Sequence, residues 1–123
     1  MVRRKDIESE INGYLKALSA IGFPFQKAIL FGSYAKGNPH EYSDIDLAVW
    51  SPAFRDAYFN IMEKVAPLRR TFKNIELHPF ILEDNAVNNP FIKEIENTGI
   101  VITPSEKFSF SKVDLLKKDP LKI

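Results

Sequence analysis

Gly32-Ser33-Tyr34-Ala35-Lys36-Gly37, followed after a short polar loop by Ser43-Asp44-Ile45-Asp46-Leu47-Ala48-Val49, decides how this chain is read. Just before it, Lys27-Ala28-Ile29-Leu30-Phe31 is a short apolar run, which suits a buried strand feeding a sharp turn at Gly32. Glycine has no side chain, so the backbone there can approach a ligand closely. A short helix starting at Ser33 would aim its free N–H groups and the serine hydroxyl at an anion such as a triphosphate. A glycine-serine pair alone is more often a plain helix cap. The second half supplies the context. Asp44 to Val49 reads as a strand with Ile45, Leu47 and Val49 on one side and Asp44, Asp46 and Ala48 on the other.

Asp44 and Asp46 therefore leave the same face with roughly 6.5 to 7 Å between their α-carbons. Two such charges about 4 Å apart would repel by on the order of 4 kcal/mol at an effective dielectric of about 20. A divalent cation resolves that conflict, and oxygen ligands without cysteine favour a hard ion, Mg2+ or Mn2+, shared with substrate phosphates. The plainer alternative makes both aspartates turn residues at an exposed strand start. Glu76 adds weight from a distance. In the predicted strand Lys73 to Phe80, Ile75 and Leu77 share one face while Glu76 and His78 share the other, so a neighbouring strand would bring a third carboxylate alongside. Read alone, Glu76 is a solvent-facing strand residue.

The flanking chain fits a single small domain. Ile7, Ile11, Tyr14, Leu15, Leu18 and Ile21 form a helical stripe over about Asp6 to Ala20, ended by Gly22 and Pro24. Ser51-Pro52 starts a second helix carrying Phe54, Ala57, Tyr58, Ile61, Met62 and Val65, with Pro67 limiting its far end. Asn89-Pro90 starts a short helix with Phe91, Ile92 and Ile95, Gly99 closes it, and Ile100-Val101-Ile102 reads as a last strand. The order α, β, β, α, β, α, β predicts an α/β (α+β) domain. Its boundary is set at residues 1–103. Residues 104–123 form a tail in which Phe108, Phe110, Leu115 and Leu116 lie among lysines, the pattern of an interaction segment.

Composition narrows the classes further. The 123 residues are 45% hydrophobic and 27% charged, ordinary for a globular protein. No cysteine is present, which excludes disulfides, thiolate metal sites and cysteine nucleophiles. A net charge of +1 gives no strong field for long-range nucleic-acid capture and leaves a nucleic-acid acceptor open. No apolar run approaches a membrane span and the charged start lacks a signal-peptide core, so a cytoplasmic protein is expected. A chain this small is expected to complete its substrate pocket with a partner or a second copy.

The remaining candidates carry less. His78 could touch an acceptor or phosphate, although a histidine before Pro79 is more often structural. His40 lies between the motif halves and reads as solvated. Phe23, Phe25, Phe31, Phe54, Phe59, Phe72, Phe80 and Phe91 are assigned to the core, with Tyr34 or Tyr42 available to flank a base.

Gly32-Ser33, the turn ending at Lys36-Gly37, Asp44-Ile45-Asp46 and a later acidic strand residue together resemble the signature of the DNA polymerase beta-like nucleotidyltransferase superfamily. The resemblance runs from about Lys27 to Ile102, and the short length resembles its minimal nucleotidyltransferases. It implies that family's fold, a small mixed sheet with helices packed on one side. It also implies Asp44, Asp46 and Glu76 as catalytic metal ligands, and Gly32, Ser33 and Lys36 at the nucleotide. The implied reaction transfers a nucleoside monophosphate, with ATP as the expected donor, to an acceptor hydroxyl and releases pyrophosphate. Tyr34 and Lys36 stand where members often carry arginine, leaving a point charge in place of a bidentate grip. The third carboxylate, commonly aspartate, is here Glu76. Minimal members are often paired with a HEPN protein as antitoxin and toxin, which implies a partner that is adenylylated or simply bound. A contact-only antitoxin and an inactive nucleotide-binding fold are the alternative readings.

Overall fold

Alternation of burial along the strands builds this molecule in two layers on either side of one sheet. The computed structural model describes residues 4–36 and 44–102. The elements in chain order are α1 (Arg4–Ala20), β1 (Lys27–Phe31), α2 (Ser33–Lys36), β2 (Ile45–Trp50), a 3-10 turn (Pro52–Arg55), α3 (Tyr58–Thr71), β3 (Ile75–Phe80), α4 (Pro90–Thr98) and β4 (Ile100–Ile102). The four strands lie in the order β3-β2-β1-β4. β1 is antiparallel to β2 and β4, and β2 is parallel to β3, with α3 as the crossover. This is the mixed sheet that the family resemblance implies. The expected tail, residues 104–123, lies outside the described residues.

The larger core joins Ile7, Ile11, Tyr14, Leu15 and Leu18 of α1 and Ile61, Val65 and Leu68 of α3 to the inward strand residues Leu30, Ile45, Leu47 and Leu77. Helix α1 ends in a Schellman arrangement. Gly22 has φ 102, Phe23 N–H donates to the Leu18 carbonyl at 2.9 Å and Gly22 N–H to the Ser19 carbonyl at 3.2 Å. Ile21, counted in the sequence stripe, falls past this end and is exposed. Helices α1, α2 and α3 pack on one side, as expected, but α4 does not join them. Its Ile92 and Ile95 meet Ile29, Phe31, Ala48 and Trp50 on the opposite face.

Two further expectations change in the second helix. Ser51 caps only a single turn, its Oγ accepting from Ala53 N–H at 3.1 Å, and the chain kinks before α3 begins at Tyr58. Tyr58 and Phe59 are consequently exposed, so Phe59 is not a core residue. Pro67 does not end α3, which continues to Thr71. The proline sits on the solvent side, where water can satisfy the carbonyl it leaves without a partner, while Val65 and Leu68 keep the helix on the core. In β3, Pro79 is compatible with strand structure because β3 is an edge. Among the described residues no helix is long and apolar enough to cross a membrane.

Leu47 is fully buried at the centre of β2. Leu47→Ala should cost about 2–5 kcal/mol of unfolding free energy. Trp50, the chain's one tryptophan, is 3% exposed, so its fluorescence during urea unfolding gives the readout.

Candidate active site

The register of the sheet lines up three rows on the α4 face. They are Lys27, Trp50 and Phe80; then Ile29, Ala48 and His78; then Phe31, Asp46 and Glu76. α4 covers the apolar part of this face. Trp50 is fixed by its Nε1–H donating to the Asp84 carbonyl at 2.9 Å, by Phe80 with centroids 5.0 Å apart, and by Lys27, whose ammonium lies 4.8 Å from the ring centroid. Lys27 in turn meets Glu96 of α4 at 2.5 Å. The third row, at the other end, carries two acidic side chains.

Asp46 and Glu76 are direct register partners on parallel strands, so their side chains leave one face side by side. One donor atom each from Asp46, Glu76 and His78 lies within 4.8 Å of the others. His78 Nε2 stands 3.3 Å from Asp46 Oδ1. The imidazole is held edge-on by Phe31 at 4.9 Å and Phe91 at 6.1 Å between centroids. Phe91 is half-exposed and so belongs to the rim of this site rather than to the core. The sequence ranks His78 below the acids. The spacing that would have raised it is Glu76-x-His78 on a strand whose neighbour carries Asp46.

Gly32 follows directly on the residue paired with Asp46 and has φ 80. A Cβ at Gly32 would collide with the Asp46 carboxylate, whose Cγ would be only 3.1 Å away. The glycine is thus required both by its left-handed backbone and by the space the carboxylate fills. Ser33 opens α2 immediately after it. Lys36 closes α2, and its side chain lies outside the described residues, as do His40 and Tyr42. Tyr34 is fully buried in the larger core, which removes it as a residue that could flank a base. Asp44 stands one position before β2 and is exposed. It is not one of the three converging residues, although its charge reaches Glu76.

Partial desolvation and a hydrogen bond with Asp46 push the Glu76 carboxyl above its ordinary range; His78 opposes the shift, and the charges of Asp46 and Asp44 add to it. Outside β3, a cleft of about 650 Å³ is lined by Tyr58, Met62, Arg69, Arg70 and Lys73 and reaches Asp44 and Glu76.

Residues 10–108 match the model of the family described as Polymerase beta, Nucleotidyltransferase. The chain belongs to this nucleotidyltransferase family. Three solved structures share the fold. A mutant of the toxin-antitoxin MntA-HpeT has a TM-score of 0.53 at 20% identity, over 87% of this chain and 82% of that one. A toxin-antitoxin with AMP-PNP gives 0.52 at 22% identity, over 87% and 82%. A second MntA-HpeT mutant gives 0.52 at 23%, over 85% and 76%. No curated protein matches the chain. Nucleotidyl transfer is the reaction class of this family; in this nucleotidyltransferase Asp46 lies on β2 and Glu76 on β3.

Two outcomes test this geometry. Gly32→Ala should lose about 1–2 kcal/mol of stability from the positive φ alone, measured by urea unfolding, before any cost of displacing Asp46. Because the Glu76 pKa is raised in the folded state, its favourable contribution is present at low pH and is lost as pH rises through the folded pKa. In chelator-treated buffer Glu76→Gln should therefore be more stable than wild type at about pH 7, and the advantage should shrink toward about pH 4.

Proposed function

We propose that this cytoplasmic nucleotidyltransferase moves AMP from ATP to an acceptor hydroxyl, using Mg2+ or Mn2+. The observation that carries the reading is the convergence of Asp46, Glu76 and His78 beside a glycine whose missing Cβ makes room for a carboxylate. Within that set the two carboxylate oxygens are the hard donors that Mg2+ or Mn2+ takes, with the His78 imidazole beside them. Asp46 and Glu76 would hold the ion, with Asp44 as the further carboxylate of the motif. When bound, it supplies charge neutralisation and polarisation of the α-phosphate.

The chain's own residues do the remaining work. The turn at Gly32 and Ser33 offers backbone amides and a hydroxyl to the triphosphate, with Lys36 as the cation of the sequence motif. Glu76 faces the acceptor side. The acceptor oxygen attacks the α-phosphorus in line, the bond to the bridging oxygen breaks, pyrophosphate leaves with the electron pair, and the hydroxyl proton passes to solvent water on the Glu76 side. Residues 1–103 are the catalytic unit in this reading, and the tail at 104–123 engages a partner.

A second reading draws on the fold likeness to toxin-antitoxin structures. Here the chain neutralises a HEPN-type partner, by adenylylating it or by contact alone. ATP labelled on its α-phosphate, incubated with the protein encoded beside this one, separates the cases. Asp46→Asn and Asp44→Asn should each lower label transfer by about a hundredfold or more. Label transfer at the wild-type rate in both would refute the transferase reading. Neutralisation that survives both changes would identify a contact antitoxin.

A further inference from the structure

We infer that the cleft between α3 and β3 docks an acidic protein segment bearing the acceptor hydroxyl. This rests on the transferase reading above and names the chemistry of its second substrate. β1 and β3 flank β2 on opposite sides. Gly32 closes on Asp46 from the β1 side, so a triphosphate at the Gly32-Ser33 turn leaves the β3 side, where Glu76 sits, for the acceptor. The cleft opens on that side, and both Asp44 and Glu76 line it.

Its walls describe the occupant. Arg69, Arg70 and Lys73 supply three cations, and none of them makes an ion pair among the described residues, whereas Lys27, Arg55 and Lys64 are paired with Glu96, Glu83 and Asp56. Arg69 and Arg70 lie in the last turn of α3, where cations complement the helix dipole. That accounts for neither Lys73 nor the apolar wall of Tyr58, Met62 and Leu77. Tyr58 is 64% exposed, a large apolar surface with nothing described against it. β3 is an edge strand, so it offers main-chain groups to an extended peptide. Cations, apolar surface and an open strand edge together suit an acidic peptide better than nucleic acid, for which the net charge of +1 gives no broad field. The chain's own tail is a poor occupant, because residues 104–123 hold five lysines against three acidic residues.

The test titrates a fluorescent copolymer of glutamate and tyrosine into the full chain without ATP, followed by anisotropy. Saturable binding is expected, weakened about tenfold by Arg69→Glu/Arg70→Glu and unchanged by Lys93→Glu on α4. Arg69→Gln/Arg70→Gln should give a smaller loss in the same direction, which keeps the test open if the charge reversal does not fold. A lysine-tyrosine copolymer should not bind. Equal affinity of the reversed variant for the acidic copolymer would overturn the inference. So would tighter, competing binding of a single-stranded oligonucleotide, which would assign the cleft to nucleic acid. Binding is read without turnover, so absence of label transfer counts against the transferase reading alone, whereas transfer to another acceptor without copolymer binding counts against the docking alone.

Discussion

Two carboxylates are held side by side by a parallel strand pair, and the rest of the molecule is arranged around that repulsion. Asp46 and Glu76 are register partners on β2 and β3. Carboxylates about 5 Å apart repel by roughly 3 kcal/mol at an effective dielectric of about 20. Nothing in the pairing relieves this, because sliding the register by one residue would turn Leu47 and Leu77 out of the core. Local relief comes from His78 against Asp46 and from a Glu76 carboxyl that keeps its proton more readily than usual. Stability must come from elsewhere, and the larger core beneath the opposite face supplies it.

That division of labour explains the unequal faces of the sheet. One is sealed by α1, α2 and α3. On the other, the aromatic row around Trp50 and the seat of α4 occupy one end, leaving the carboxylate row beyond them. Helix α4 does more than cover apolar surface. Its first turn brings Phe91 to the edges of Phe31 and His78, which ties the orientation of the imidazole to the position of the helix.

Much of this was legible in residues whose signal is local. Gly22 and Gly99 marked helix ends, Asn89-Pro90 a helix start, and the alternation in β2 and β3 the side from which Asp46 and Glu76 emerge. What escaped depends on tertiary context. Pro67 is a helix breaker by propensity, but the buried residues around it hold α3 together past the ring. The capping signal at Ser51 is real and yet serves one turn only, because the chain kinks again before Tyr58. Phe59 and Phe91 have the composition of core residues, yet Phe59 lies largely in solvent and Phe91 is half-exposed. His78 gained its place from a neighbour that is 32 residues away in sequence, a pairing that periodicity cannot register.

The collision that a methyl group at Gly32 would make with Asp46 binds two distant positions into one heritable unit. Neither can drift freely while the other stays. A side chain gained at position 32 evicts the carboxylate, and a longer acid at position 46 would press on the space the glycine leaves open. Divergence within this fold should therefore proceed elsewhere, in the lining of the β3 cleft and on the outer surface of α4, while Gly32 and Asp46 change together or not at all.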